Sequence, residues 1–434
     1  MRPLTASLAS STVLRAAGAF ASFLLGIQLA RYLQPEGFGL YGVAIAAAQI
    51  LGVMAQAGVP TLALREISVG LQNRDWPLMS GILRWAPRVI VAASAIVSGI
   101  FLVGLWLYPA VTGDSLPPEL WYVAALVPLF AITVLLNAEL RALGRVVAGQ
   151  SLEILVRPAL VCVFVFLVYF TQKAFSPGQA LLVQIAASIV TLALGLYWRR
   201  SEIPSEARET PPVHHGRSWT RAAIPLGVSD LLLQLTGTYG IFVVGLLSPP
   251  VEAGYLRVAW STIVIIATPL SIFNVVLAPR LAQLNAAGNV RDLQRMLAYA
   301  AAAMSVVTCG VLLVLYAIGQ PLLEILFGAV YAKSWAPLML LTLGQTVIAF
   351  FGVGWVLLSV SGGERKLALS FAISTFAGIV VAVLLAPRYG AVGTAWATLF
   401  GNVVHSLLCW YFVRKHSGVD SSVFGLIAAR SAAA

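Results

Sequence analysis

Long apolar runs recur along the whole chain, and their length is the feature that most restricts the fold. Each run has about 20 mostly apolar residues, enough for a helix to cross a hydrocarbon core of ~30 Å. The gaps between the runs are rich in Gly, Pro and charged residues. Because a bilayer core offers no water to backbone N–H and C=O groups, each run must satisfy these groups internally, as a helix does. The sequence therefore predicts an all-α integral membrane protein.

Twelve runs meet this criterion, in two sets of six separated by the longest polar gap. The predicted spans of the first set cover residues 9–33, 38–64, 86–109, 119–140, 151–171 and 178–198. Those of the second set cover residues 220–247, 253–278, 296–318, 335–360, 367–387 and 390–413. The predicted domains are an N-terminal six-helix lobe (1–198), a cytoplasmic linker (199–219), a C-terminal six-helix lobe (220–414) and a cytoplasmic tail (415–434).

Charged residues are scarce and mostly basic, which bears on both partners and orientation. Only 10% of the residues are charged, against roughly 25% in soluble proteins, and the net charge is +11. With both termini placed in the cytoplasm, 20 of the 27 Lys and Arg residues lie in cytoplasmic segments and four lie outside. This asymmetry is typical of a multi-pass inner-membrane protein. The basic residues lie between apolar runs without interleaved aromatic residues, which favours membrane lipids over nucleic acid as partners.

The two sets of spans resemble each other when the first is shifted by 215 positions. The paired positions include Pro35 with Pro250, Gly39 with Gly254, and Arg65 with Arg280. An even number of spans in each half gives both halves the same orientation. The repeat therefore predicts two lobes related by a pseudo-two-fold axis along the membrane normal, with a central cavity between them.

Asp230, Arg15 and Arg257 are ionisable residues inside predicted spans, where charge is costly. Asp230 lies about ten residues, or ~15 Å, into the seventh span, and either a cavity lining or a structural polar contact would explain it. Arg15 in the first span and Arg257 in the eighth either line a cavity or extend to the bilayer surface. The repeat aligns Arg15 with Asp230, so the two halves carry opposite charges at equivalent positions.

Glu153 and Arg157 form a fourth candidate site at the start of the fifth span. The two residues are four positions apart with the acid first, a spacing that puts them on one helix face and favours an ion pair. Because they are close to the predicted cytoplasmic end, a structural pair is favoured over a lumen pair that contacts the transported molecule.

The residues resemble a known family in three places. The segment 29–68 (LARYLQPEGFGLYGVAIAAAQILGVMAQAGVPTLALREIS) is similar to the opening of Wzx-type flippases of polysaccharide biosynthesis. The segments 326–341 (LFGAVYAKSWAPLMLL) and 387–400 (PRYGAVGTAWATLF) resemble later parts of the same family. These flippases belong to the superfamily that also contains multidrug and toxin exporters and the lipid II flippase.

The resemblance implies translocation of an undecaprenyl-pyrophosphate-linked oligosaccharide across the bacterial inner membrane. It also implies that Arg15 and Arg257 are substrate-binding residues of a cationic lumen, because related flippases bind the pyrophosphate with lumen arginines. Asp230 departs from a purely cationic lumen and is expected to pair with an arginine or to bind a coupling proton or sodium ion. No cofactor or metal is expected. A polysaccharide polymerase and a chain-length regulator are candidate partners.

Three other functions compete with this one. A cation-coupled multidrug exporter of the same superfamily stays open, although three intramembrane arginines favour an anionic substrate. A membrane enzyme is disfavoured because the acids of the outer gaps are scattered and the sequence has no phosphate-binding loop for ATP. A scaffold without transport is disfavoured because buried charges destabilise a protein that has no substrate path.

Overall fold

The computed structural model describes residues 2–112, 116–172, 175–213 and 215–426, and every regular element in this part of the chain is helical. The α-helices are α1 (Arg2–Gln56), α2 (Val59–Asn73), α3 (Trp76–Thr112), α4 (Val123–Ala142), α5 (Val146–Ser151), α6 (Arg157–Gln172), α7 (Pro177–Glu202), α8 (Ser205–Glu209), α9 (Gly216–Leu247), α10 (Pro250–Ala286), α11 (Val290–Phe327), α12 (Trp335–Phe351), α13 (Gly354–Val360) and α14 (Glu364–Ser417). Two 3₁₀-helices, Pro118–Tyr122 and Ala329–Ser334, precede α4 and α12. A π-helical turn, Leu152–Val156, joins α5 to α6.

The number of spanning segments agrees with the sequence. Ten continuous helical stretches in the described part of the chain are long and apolar enough to cross a membrane. Three of them combine adjoining helices, such as Val146–Thr171, which includes α5, the π-helical turn and most of α6. Two of the ten, α1 and α14, each contain one residue with non-helical angles, Gln34 (φ 59°, ψ 172°) and Gly390 (φ 53°, ψ −128°). Each of these residues divides its helix into two segments of about 20 residues or more, long enough to span. The ten helical stretches therefore supply twelve spanning segments, which confirms the predicted number.

The predicted second span, 38–64, is wrong at its C-terminal end. The helix α1 ends at Gln56, and Ala57 and Gly58 then turn the chain with positive φ angles of 46° and 76°. Pro60 lies in the first turn of α2, where the fixed φ of proline suits a helix start. With 15 residues, α2 is about 22 Å long and too short to span. The apolar run therefore divides between a spanning helix and a separate short one.

The chain divides into two compact units, Met1–Thr238 and Tyr239–Ala434. In the first unit α4 lies at the centre and packs against α1, α2, α3 and α7. Its side chains Leu126, Leu135 and Leu140 are fully buried there. The first unit thus extends through the predicted linker and into α9. That the predicted lobe boundaries separate functional units of the protein stays a prediction.

The predicted linker, 199–219, folds back onto α3 of the first unit. The Val213 N–H donates to the Pro77 carbonyl oxygen at 3.1 Å. Trp219 is buried, with its ring centroid 5.3 Å from that of Trp85. The linker is therefore part of the first unit's packing and not an extended tether.

The second unit repeats the plan of the first around α12, which packs against α10, α11 and α14. In each unit a 3₁₀-helix leads directly into the central helix, which is the fourth span of its half. The tail also belongs to the packing of this unit. The Asp420 N–H donates to Gln294 Oε1 at 2.7 Å, and Gln294 Nε2 donates to the Asp420 carbonyl at 2.8 Å. Residues 427–434 of the predicted tail lie outside the described residues.

Both units also join the start of their second span to the start of their sixth. In the first unit Gly37 lies against the Pro177 ring at the start of α7. In the second unit Glu252, in the first turn of α10, accepts a hydrogen bond of 2.9 Å from the Ala391 N–H, just after the break in α14. The carboxylate thereby satisfies an N–H group that the new helical segment leaves without an intrahelical partner.

Gly390 is required at this junction for two reasons. Its φ of 53° with ψ of −128° is open to glycine but strained for other residues, and an added Cβ would lie 2.3 Å from Glu252 Oε2. We expect Gly390→Ala to destabilise the protein by about 1–3 kcal/mol. The measurement is the thermal unfolding midpoint of the detergent-purified protein. Gly310→Ala in α11 is the matched control, because an added Cβ there meets nothing within 4 Å. Equal losses in both variants would contradict this explanation.

Candidate functional site

Asp230 lies near the middle of α9 and is held by α2. The Thr61 Oγ1 hydroxyl donates a hydrogen bond of 3.1 Å to Asp230 Oδ2. Asp230 is half-buried and Thr61 is exposed, so the carboxylate remains accessible at this depth of the helix. A half-exposed acid in a spanning helix is costly in lipid and is expected to face a polar path.

Two turns of α9 beyond Asp230 continue this polar surface toward α1. Gln234 Nε2 donates to Thr238 Oγ1 at 2.7 Å and makes a longer contact of 3.4 Å with Gln49 Oε1 on α1. Gln49 and Gln234 are half-buried, and Thr238 is buried. We call Gln49, Thr61, Asp230, Gln234 and Thr238 the polar strip. All five lie in the first unit.

A close backbone approach fixes α9 beside the turn between α1 and α2. Gly227 lies against Ala57 and Gly58, and an added Cβ would lie 2.6 Å from the Ala57 carbonyl carbon. Any larger side chain at Gly227 would push α9 away from this turn. The glycine thus sets the distance at which Asp230, one turn later, reaches Thr61.

Arg15 is half-buried on the first segment of α1. Nineteen residues, or about 28 Å, separate it from Gln34, which places it near the predicted cytoplasmic boundary of a ~30 Å core. Gly18, which shares its helix face, packs so tightly on Ile154 that an added Cβ would lie 2.3 Å from Ile154 Cγ2. Arg15 therefore lies on the side of α1 that meets the π-helical turn. Its role in substrate binding stays a prediction.

Glu153 and Arg157 do not form the ion pair that their spacing suggests. Glu153 Oε2 accepts a hydrogen bond of 2.8 Å from Asn137 Nδ2, and the Arg157 guanidinium lies 4.6 Å from the centroid of the Phe130 ring. Neither residue takes part in an ion pair within 4.0 Å among the described residues. Both side chains instead contact the neighbouring helix α4, which takes the place of a pair within one helix. Whether either residue faces a lumen stays a prediction.

Arg257 lies on α10, seven residues after the first residue of the helix. It is half-buried, and its Nε atom is fully buried. The residues on either side in the chain, Leu256 and Val258, are fully buried. Part of the Arg257 guanidinium group is therefore buried. A lumen role for Arg257 stays a prediction.

Sequence reasoning missed an acid that the structure buries completely. Glu139, near the C-terminal end of α4, has a side chain with no exposed surface and pairs with Arg199 of α7 at 2.5 Å. Arg199 Nη2 also donates to the Leu83 carbonyl oxygen of α3 at 2.9 Å. The ion pair thus joins α3, α4 and α7. An acid inside the predicted span 119–140 was the available signal, but its partner lies sixty positions away in the chain.

Sequence reasoning also missed Gln49 and Gln234, because it searched the spans for ionisable residues only. Uncharged amides inside predicted spans were the available signal. An amide that lacks a partner in lipid also costs free energy, although less than a charge does. The two glutamines belong with Asp230 in the polar strip, which the sequence alone did not bring together.

A protein-family model described as polysaccharide biosynthesis protein matches residues 4–285, well over half of the chain. The chain belongs to this family. The resemblance of segment 29–68 to polysaccharide-biosynthesis flippases is thereby confirmed. No curated protein sequence matches the chain significantly.

Solved structures show the same fold over nearly the whole chain. A multidrug resistance transporter of the MATE family, in an inward-facing conformation, shares 14% identity at a TM-score of 0.76 and covers 98% of this chain and 100% of its own. The lipid II flippase MurJ, in an inward closed conformation, shares 14% identity at a TM-score of 0.65, covering 97% of this chain and 91% of its own. A transporter from Pyrococcus furiosus, described as having a binding pocket of reverse polarity, shares 15% identity at a TM-score of 0.59, with 95% coverage of each chain. The chain therefore has the fold of the MOP superfamily of transporters.

Proposed function

We propose that this protein is a flippase for a polyprenyl-pyrophosphate-linked oligosaccharide in the bacterial inner membrane, with both termini in the cytoplasm. Its product supplies a surface polysaccharide such as O-antigen, capsule or exopolysaccharide. Membership of the polysaccharide biosynthesis family carries this proposal. The likeness to the lipid II flippase supports it, since that protein is named for moving a lipid-linked substrate on the same fold.

The proposed mechanism is alternating access without chemical conversion of the substrate. Arg15 and Arg257 each attract the pyrophosphate or an acidic sugar, because a guanidinium in a site of low dielectric constant binds phosphate through two parallel hydrogen bonds. Such binding neutralises the charge that most opposes passage of the substrate through the bilayer. A polysaccharide polymerase and a chain-length regulator receive the product in this proposal.

Asp230 is proposed to couple transport to a proton or sodium gradient. It is a half-buried acid near the middle of a spanning helix, held by one hydroxyl from Thr61. Asp230→Asn keeps the shape and the hydrogen bond but removes the charge. We expect the variant to bind lipid-linked oligosaccharide in proteoliposomes while its transport no longer responds to an imposed proton or sodium gradient. An undiminished response would exclude Asp230 as the coupling residue.

A cation-coupled multidrug exporter is the second candidate. The acid in the polar strip and the fold shared with MATE transporters favour it. This candidate has no use for Arg15 and Arg257, because a cationic cargo would be repelled by them.

Deleting the gene in its native host separates the two candidates. The flippase proposal expects lipid-linked oligosaccharide to accumulate on the cytoplasmic leaflet, with loss of the surface polymer. Complementation with the intact gene should restore the polymer. Unchanged surface polysaccharide together with new sensitivity to cationic dyes would reject the flippase in favour of the exporter.

A further inference from the structure

The uncharged part of the polar strip has hydrogen-bonding groups that the protein itself does not use. An amide has two N–H donors and a carbonyl oxygen with two lone pairs. Gln234 and Gln49 together use only part of this capacity, although both lie in spanning helices. Unsatisfied amide groups are costly at this depth. Either water or a polar cargo must therefore meet them during transport.

The orientation of the Gln234 amide follows from its neighbour Thr238. The single hydroxyl proton of Thr238 is donated to the Gln234 main-chain carbonyl, at 2.5 Å. Thr238 Oγ1 can then only accept from the Gln234 side chain, 2.7 Å away, so the amide nitrogen must point toward it. The Gln234 amide oxygen consequently points away from Thr238. No side-chain or backbone donor among the described residues reaches that oxygen.

The orientation of Gln234 also fixes that of Gln49. The second N–H of the Gln234 amide points to Gln49 Oε1 at 3.4 Å, so the carbonyl end of Gln49 faces α9. The Gln49 amide nitrogen then keeps both donors, with no acceptor among the described residues. The pair thus leaves an acceptor, Gln234 Oε1, and a donor group, Gln49 Nε2, that no described residue engages. The hydroxyl groups of a sugar both donate and accept, so they complement both of these atoms.

Resting on the proposed function, we propose that Gln49 and Gln234 bind hydroxyl groups of the oligosaccharide and contribute to selecting which sugar is transported. Charge alone cannot distinguish one neutral sugar from another, because the pyrophosphate is common to all such lipids. A neutral donor–acceptor pair discriminates by the presence and position of hydroxyls, and it loses its partners when a hydroxyl is missing. Within the polar strip, Thr238 holds Gln234 in place and Thr61 holds Asp230 in place.

The test compares two lipids on the purified full-length protein in nanodiscs. One is undecaprenyl pyrophosphate, which has no sugar, and the other is the lipid-linked oligosaccharide extracted from the host. We expect Gln49→Leu and Gln234→Leu each to weaken binding of the sugar-bearing lipid by about 5- to 20-fold. Binding of the sugar-free lipid should change less than about twofold. Retained affinity for that lipid also shows that the variant is folded.

Gln320→Leu is the matched control, because Gln320 is an exposed amide in α11 that lies outside the polar strip. Its affinities should match those of the unmodified protein for both lipids. Parallel losses for both lipids in the strip variants would overturn the proposal, since that is the result of amides that only hold helices together. Unchanged affinity for the sugar-bearing lipid would overturn it as well. If the unmodified protein binds neither lipid, the proposed function fails first and this inference fails with it.

Discussion

Arg15→Gln and Arg257→Gln are each expected to lower transport of lipid-linked oligosaccharide by about 10- to 100-fold. Glutamine keeps much of the length and some hydrogen bonding of arginine but loses the charge. A hydrogen bond to a charged group contributes about 1.5–3 kcal/mol, which corresponds to this range of rates or affinities. The measurement is the rate of transfer of fluorescently labelled lipid-linked oligosaccharide between leaflets of proteoliposomes. Thermal unfolding midpoints of the same preparations show whether the variants fold.

Three further variants separate the effect of charge from that of geometry and from that of general basicity. Arg15→Lys and Arg257→Lys should recover only part of the rate, because an ammonium binds phosphate as a point charge and not through a planar fork. Arg291→Gln is the matched control, since Arg291 is exposed at the start of α11. The substitution removes the same charge as the other two, but outside the predicted spans. Intact transport in folded Arg15→Gln and Arg257→Gln protein would remove both arginines from the site without affecting the fold.

The fold was predictable because bilayer length and helical rise together dictate the sequence pattern. Twelve apolar runs gave the twelve segments, and the repeat gave the shared plan of the two units. The breaks inside α1 and α14 were harder to predict from the sequence. Pro35 and Gly390 are visible in the sequence, but many prolines and glycines of this chain lie inside continuous helices. Only packing, such as Glu252 against the break in α14, decides which of them interrupts a helix.

The candidate site was predictable only as a set of single residues. Asp230 was recognisable because an acid in a spanning run is rare, but its partner Thr61 is 169 positions away. The spacing of Glu153 and Arg157 suggested a pair within one helix, but each side chain contacts α4 instead. Contacts between residues distant in the chain therefore limited the prediction.

The second large effect concerns the buried ion pair between Glu139 and Arg199. We expect Arg199→Leu to destabilise the protein by about 3–5 kcal/mol, because it leaves a fully buried carboxylate without its cation. Glu139→Gln should destabilise it less. The Arg199 side chain is 20% exposed, so its guanidinium can extend toward water while keeping its bond to the Leu83 carbonyl. The measurement is the thermal unfolding midpoint in detergent of both single variants and of the double variant Glu139→Gln with Arg199→Leu.

The double variant distinguishes a stranded charge from lost packing. If the charge causes the loss, Glu139→Gln should recover much of the stability that Arg199→Leu removes, because the carboxylate is then absent. The exposed pair Arg145–Glu202 is the matched control, with side chains 61% and 26% exposed. Solvent screening makes such pairs weak, so Arg145→Leu should shift the midpoint far less than Arg199→Leu. A double variant as unstable as the sum of the two single variants would show that Arg199 acts through packing and not through the charge of Glu139.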